Sequence, residues 1–334
     1  MKKEGISIKL IALIVFAISL SGCEKGSAMD DYVRKLPKFD VNAAPPSCGR
    51  WRDHMPTVRV KESYDIYINA RRRWRSKQAW LFSKEENQSI LNDVMFSAEK
   101  GDWGAKALLS KFYRQGLGIM SSNQVLEPDF EKSIAIIKAA VDAGQAWGFY
   151  DLGVVYENGY GKDNNGNEIA WALYLKAAKL GSPEALMVLA DAYAKKQRFN
   201  EEGLMLQCAY KQGFGPAATQ LALLAEMEGR PTEAIRLYQD AVIYGDSDSA
   251  SSLSLLFDFY GGDAKRKEML NAIGSDRDPK RARRYREIYD ALDLNRDLRF
   301  GRLDQVLPLP PTALPEWHGF EDALTPEPEG PPTY

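Results

Sequence analysis

The chain has 334 residues, of which 45% are hydrophobic, and its formal net charge is −2. A mildly acidic chain neutralises few phosphates, so nucleic acid is not expected as a partner. The hydrophobic content is that of a folded protein, and the length suits either two domains or one elongated array.

Residues 1–22 have the composition of an export signal. Lys2, Lys3 and Lys9 form a positive segment, and residues 10–20 are apolar except for Ser19. This apolar stretch is much shorter than the roughly 20 residues that a membrane-spanning helix needs. The pattern therefore predicts a signal peptide that is removed after export.

The residues that end this signal, Leu20, Ser21, Gly22 and Cys23, resemble the lipobox of bacterial lipoproteins. The resemblance implies cleavage before Cys23 and lipid on its thiol, so that acyl chains anchor the protein to a membrane. Glu24 stands where an aspartate would imply retention at the inner membrane, which implies a periplasm-facing lipoprotein of the outer membrane. The alternative is an ordinary secretory signal with a chance cysteine, which also exports the chain.

Residues 23–60 are predicted to be a lipid-anchored, extended tether, because they contain Pro37, Pro45, Pro46 and Pro56. Cys48 lies in this segment, and Cys208 lies at a small-residue position of a predicted helix. We interpret Cys208 as a buried small hydrophobic residue. A disulfide with Cys48, which an oxidising compartment would permit, stays open as the alternative.

Residues 61–100 are predicted to form N-terminal capping helices for the array that follows. Ser83 and Glu86 have the spacing of a capping box at the start of a helix. Ile90, Val94 and Ser97 then follow one helical face. Caps are expected because the end of a repeat array would otherwise expose apolar surface.

Residues 101–262 contain a repeat that is visible when five glycines are aligned: Gly101, Gly144, Gly181, Gly213 and Gly245. A leucine stands eight residues after each glycine: Leu109, Leu152, Leu189, Leu221 and Leu253. A small residue stands four positions after each of them, and these offsets share one helical stripe. Each unit is therefore predicted to be a helix A, a turn and a helix B that the next glycine ends.

The unit at 144–181 carries a family resemblance in Leu152, Gly153, Tyr156, Gly159, Gly161, Ala170, Tyr174, Lys176, Ala177, Ala178 and Gly181. It resembles the Sel-one-like repeat, a relative of the tetratricopeptide repeat. The resemblance implies an all-α fold, an α-solenoid of helix pairs with a broad curved surface.

Residues 263–307 have helical composition, with a basic run at 280–286 that we interpret as a solvated helix face. Residues 308–334 are rich in proline and are predicted to be an extended tail. Leu309, Leu314 and Trp317 are expected to hold 308–320 along the solenoid. The end of the tail is expected to be disordered.

No catalytic constellation is apparent in the sequence. The two histidines, His54 and His318, lie in proline-rich segments near opposite ends of the chain, and no phosphate loop or metal-ligand spacing is present. The acidic block at 163–168 lacks the spacing of a calcium loop, so we interpret it as a solvated turn. The chain is therefore predicted to be non-enzymatic, with no metal and no cofactor.

The predicted partner-binding residues are arginines and aromatics, the usual anchors of protein interfaces. They are Arg71, Arg72, Arg73, Arg75, Trp147, Tyr156 and Tyr160. The competing interpretation is structural: a solvated helix face with Trp74 turned into the core, and aromatic rings that pack between repeats.

The tail from Leu303 to Gly319 resembles that of immunity lipoproteins encoded beside type VI secretion phospholipase effectors. The matching residues include Leu314, Pro315, Glu316, Trp317, His318 and Gly319. The resemblance implies a protein that binds and neutralises a toxin of the phospholipase class. The alternative is a scaffold for an envelope or polysaccharide-export assembly, because a fold alone does not decide function.

Overall fold

A computed structural model of the protein describes residues 28–159, 165–259 and 263–330. The predicted signal peptide, Cys23 and Tyr160 lie outside the described residues. The described part is helical and contains two isolated β-bridges but no longer strand. Its helices are all too short or too polar to cross a lipid bilayer.

The N-terminal helices are α1 (Ala28–Arg34), α2 (Lys61–Trp74) and α3 (Lys84–Glu99). The array comprises α4 (Trp103–Gln115), α5 (Phe130–Asp142), α6 (Ala146–Glu157), α7 (Gly166–Lys179), α8 (Pro183–Lys195), α9 (Phe199–Tyr210), α10 (Gly215–Met227), α11 (Pro231–Ile243) and α12 (Ser247–Phe257). The C-terminal helices are α13 (Ala264–Ala272), α14 (Pro279–Leu294) and α15 (Leu303–Val306). Short 3-10 helices lie at Trp51–His54, Ala79–Leu81 and Phe320–Ala323.

The helix pairs confirm the predicted all-α solenoid. Successive helices from α2 to α12 pack against their neighbours in the chain. All five aligned glycines have positive φ, from 72° to 91°, which is the conformation that ends helix B before the next helix A begins. Each of the five aligned leucines is at most 8% exposed. The sequence period is therefore the period of the packed helices.

The two ends of the array are closed by additional helices. At the N-terminal end, the Ser83 hydroxyl accepts from the Glu86 backbone N–H while the Glu86 carboxylate accepts from Ser83, so the capping box is present. The predicted inner face of α3 is buried, with Ile90 and Val94 at most 1% exposed. At the other end, α14 packs against α12 and takes the position of its helix B.

Residues 28–60 differ from the predicted extended tether, because they are docked on the array. Val33 is 1% exposed where α1 meets α7, and Trp51 packs edge-on against Trp103 with 6.1 Å between ring centroids. Gly49 passes so close to the array that a Cβ there would stand 2.3 Å from the Lys179 carbonyl oxygen. The segment is docked because it carries its own apolar side chains, which burial against the helices stabilises.

A disulfide joins this segment to the array. Cys48 is bonded to Cys208 on α9, with 5.4 Å between their Cα atoms. Cys208 is 2% exposed, so it is buried as predicted, but the interpretation of an unpaired residue is wrong. The path of residues 28–60 along the array brings Cys48 to α9. The 160 positions that separate the two cysteines in the sequence give no sign of this contact.

The tail also differs from its prediction, because it contacts the N-terminal region as far as Gly330. The Gly330 carbonyl accepts from Arg71 Nη1 at 3.2 Å, and the Glu329 carbonyl accepts from Arg59 Nη1 at 3.3 Å. Both arginines belong to the N-terminal region, so the tail at residues 329–330 returns to the start of the array. The expectation of a disordered end is therefore wrong for the residues up to 330.

Candidate partner-binding surface

Two aromatic residues predicted to contact a partner are buried. Trp147 is 2% exposed, and its indole N–H donates to Gln145 Oε1 at 2.7 Å. Tyr156 is 4% exposed within the core. The structure contradicts the prediction that either is an interface anchor, because each fills the space between repeats.

The arginine cluster at 71–75 binds other parts of this chain. Arg71 is 1% exposed and forms a bidentate ion pair with Asp297. Arg72 pairs with Glu327 of the tail. Arg73 pairs with Asp93 on α3. Arg75 lies 3.4 Å from Asp297 and over the Trp74 ring.

These contacts correct the interpretation of Arg71, which is buried and is neither a solvated residue nor a free anchor. Arg72 and Arg73 are exposed, as a solvated helix face requires, although Arg72 also fastens Glu327 of the C-terminal segment to α2. Trp74 is half-buried and meets Phe112 edge-on, as its predicted turn toward the core requires.

In the basic run at 280–286, Lys280, Arg283 and Arg286 are exposed, as a solvated face requires, but the interpretation is wrong for Arg281 and Arg284. Arg281 is 4% exposed and donates to the carbonyls of Pro308 and Thr312. Arg284 donates to the carbonyls of Val306 and Pro315. Proline-rich backbone has carbonyls without helical partners, and arginine supplies donors for them.

The strongest candidate surface is a cavity of about 650 Å³ that the helices A surround. We call it the central cavity. Helices α4, α6, α8, α10 and α12, or the turns just before them, all contribute to its lining. Arg75 at the end of α2 and residues 296–299 complete the wall where the array closes.

One side of the central cavity is positively charged, and we call Arg75, Lys111 and Arg114 the cationic wall. Burial, with the charges of Arg75 and Arg114, lowers the pKa of Lys111 to about 8. Arg299 lies at the edge of this wall, and burial lowers its pKa to about 10. These groups therefore hold positive charge in a partly desolvated place.

The lining also includes the acids Asp151, Glu184, Asp246 and Asp248, and we call Asp246 and Asp248, which lie at the start of α12, the acidic wall. Burial raises the pKa of Asp151 to about 6, although Arg114 lies 4.0 Å away. Asp246 caps α12 and accepts from the Thr219 hydroxyl at 2.8 Å. The cavity is thus lined by both basic and acidic side chains.

The chemistry of the cavity suits binding. Its lining, as far as the chain is described, includes no histidine or cysteine that could act as a base or nucleophile beside Ser247. In the described ranges no cluster of three or more metal-ligating side chains is assembled. What the cavity offers is shape and fixed charge.

Comparison with known proteins finds one matching domain family and three similar solved structures. Residues 249–327 match a domain of unknown function, DUF6396, which covers α12 to the tail. The chain is similar to a Pseudomonas aeruginosa protein, 5086, with 27% identity and a TM-score of 0.65, over 80% of this chain and 96% of that one. No curated protein matches the chain in sequence.

Two further similar structures are immunity proteins of Pseudomonas aeruginosa. Pa5087 has 26% identity and a TM-score of 0.62, over 83% of this chain and 97% of its own. PA5088 has 26% identity and a TM-score of 0.61, over 80% of this chain and 95% of its own. The chain thus resembles immunity proteins over almost their whole length.

Arg75, a predicted partner-binding residue, lines the central cavity, but sequence reasoning missed the other residues of its lining. Lys111 stands ten residues after its aligned glycine and Asp151 seven after its own, so no shared offset singles them out. Asp297 lies in a connecting segment without a motif. Their meeting depends on how the array closes, which no local pattern encodes.

Proposed function

We propose that this protein is a non-enzymatic immunity protein that binds and neutralises a toxin of the phospholipase class. The observation that carries the proposal is the structural likeness to two immunity proteins over at least 95% of their length. The resemblance of the tail at 303–319 to immunity lipoproteins adds the phospholipase class.

The central cavity supports a binding mechanism without chemistry. A stable protein interface buries roughly 800 Å² per partner around a few anchoring contacts. The array offers a rigid surface of helices around a charged cavity, closed at its ends by α3 and α14. Such a body would block a toxin by covering its active site or its membrane-binding surface.

We further propose that the protein faces the periplasm and is anchored by lipid on Cys23, at the outer membrane. The lipobox resemblance motivates the anchor, and the Cys48–Cys208 disulfide supports an oxidising compartment. A toxin delivered to the periplasm would meet the immunity protein there.

Competition between sister cells tests this function. Cells lacking the gene should lose membrane integrity when attacked by cells that deliver the matching phospholipase effector, and the restored gene should protect them. Unchanged survival combined with altered capsule or exopolysaccharide would contradict immunity and favour the scaffold function.

A further inference from the structure

Lys111 on α4 is a basic residue of the central cavity. Across the described ranges, no carboxylate lies within ion-pairing distance of its ammonium group. The two acids that act on it are already engaged, Asp151 by Arg114 at 4.0 Å and Asp297 by Arg71 at 2.7 Å. Its aromatic neighbour is Trp74, whose ring centroid lies 5.4 Å from Nζ.

Two more cations surround this ammonium. The Arg75 guanidinium lies 4.0 Å from the centroid of the same Trp74 ring, so two cations share one indole. Burial lowers the pKa of Lys111, and the charges of Arg75 and Arg114 lower it further. Like charges held together in a partly desolvated wall repel one another, and an entering carboxylate would relieve that repulsion.

The acidic wall restricts what the entering group can be. Asp246 and Asp248 line the same cavity as the cationic wall and would repel a small polyanion. A flat lipid surface cannot reach residues inside a cavity of about 650 Å³. A projecting protein segment fits, because its neighbouring side chains can carry opposite charges.

We propose that the central cavity receives a projecting segment of the toxin. An acidic side chain of that segment pairs with Lys111 and Arg114, and a basic side chain faces Asp246 and Asp248. This inference rests on the proposed function and adds the contact chemistry of the partner.

A matched pair of lysine substitutions tests the contact. Lys111→Met removes the charge within the cavity, and Lys106→Met removes the same charge from an exposed site of the same helix. With the effector that the wild-type protein neutralises, Lys111→Met should weaken binding about tenfold or more. Lys106→Met should leave binding unchanged.

Amine labelling followed by mass spectrometry gives a second reading on the intact wild-type protein. Lys111 should react in the free protein and be protected in the complex, while Lys106 should react in both. Wild-type affinity of a folded Lys111→Met variant, or an unprotected Lys111 in the complex, would overturn this inference alone. Failure of the wild-type protein to bind any phospholipase effector would overturn the proposed function as well.

Discussion

Arg71 and Asp297 form a bidentate ion pair between residues 226 positions apart in the chain. Nε donates to Oδ2 at 2.7 Å and Nη2 donates to Oδ1 at 2.8 Å. The two side chains are 2% and 6% exposed. Although burial opposes its ionisation, the bonds from Arg71 hold the pKa of Asp297 below its ordinary value. This pair fastens the C-terminal segment to α2.

Breaking that pair should destabilise the protein more than breaking an exposed one. Asp297→Asn leaves the buried Arg71 without a counter-charge, at an expected cost of about 3–5 kcal/mol in the free energy of unfolding. The exposed pair of Arg73 and Asp93 is the control, since Asp93→Asn should cost less than about 1 kcal/mol. Urea unfolding measures both, and equal losses would show that Arg71 is not effectively buried.

The disulfide should stabilise the docked N-terminal segment. Cys48→Ser is expected to lower the free energy of unfolding by about 2–4 kcal/mol, because the bond closes a long loop between Cys48 and Cys208. Cys208→Ser should have a similar effect, and the double variant should add little. Reducing agent should shift the wild-type unfolding midpoint but leave the variants unmoved. An unchanged wild-type midpoint in reducing agent would contradict the contribution of the disulfide to stability.

Burial of Asp151 makes a definite prediction about pH. Its folded pKa, about 6, lies above the unfolded value of 3.8, so its contribution to stability is fully present below pH 3.8 and is lost as pH rises through 6. Arg114 and Lys111 oppose this shift but do not outweigh burial. Asp151→Asn should therefore stabilise the protein at pH 7 by about 2–3 kcal/mol.

That gain should shrink towards zero at pH 4, where the wild-type carboxyl is protonated in the folded protein. Thermal unfolding of both proteins from pH 4 to pH 8 measures the difference. A gain that does not change with pH would mean that the substitution acts through packing alone.

A single charged substitution tests whether the aligned leucines form a buried stripe. Leu189 is 0% exposed, so Leu189→Asp places a carboxylate in the core and should cost several kcal/mol, about 3 or more. Lys195, on the same helix, has a side chain that is 73% exposed, and Lys195→Asp should cost much less. Similar melting temperatures for the two variants would contradict the assignment of the stripe.

The proposed lipidation depends on the thiol of Cys23, which lies outside the described residues. Cys23→Ser should abolish incorporation of labelled fatty acid and release the protein from membrane fractions. Cys48→Ser serves as a control, because Cys48 forms the disulfide and should not affect labelling. Continued labelling of Cys23→Ser would contradict the lipoprotein proposal.

The local features of this fold could be predicted from the sequence because their determinants lie close together. Ser83 and Glu86 define a helix start within four positions, and the aligned glycines mark each helix end through their left-handed backbone. Such signals depend on one turn of helix and not on the tertiary fold.

The closing contacts could not be predicted in the same way. Arg71 and Asp297 are 226 positions apart, and Cys48 and Cys208 are 160 apart. Nothing in the neighbourhood of Asp297 distinguishes it from a surface acid. The arginine cluster is conspicuous in the sequence for its charge. Whether that charge faces solvent or a distant carboxylate depends on how the repeats stack.

Inhibition of a purified effector tests the central claim most directly. The mature protein, titrated against the phospholipase effector on lipid vesicles, should abolish hydrolysis near an equimolar ratio, with a nanomolar Kd from calorimetry. An unrelated phospholipase at the same concentration should remain active, which would show that the protein does not merely shield the lipid. Undiminished hydrolysis at a large excess of the protein would contradict the immunity function.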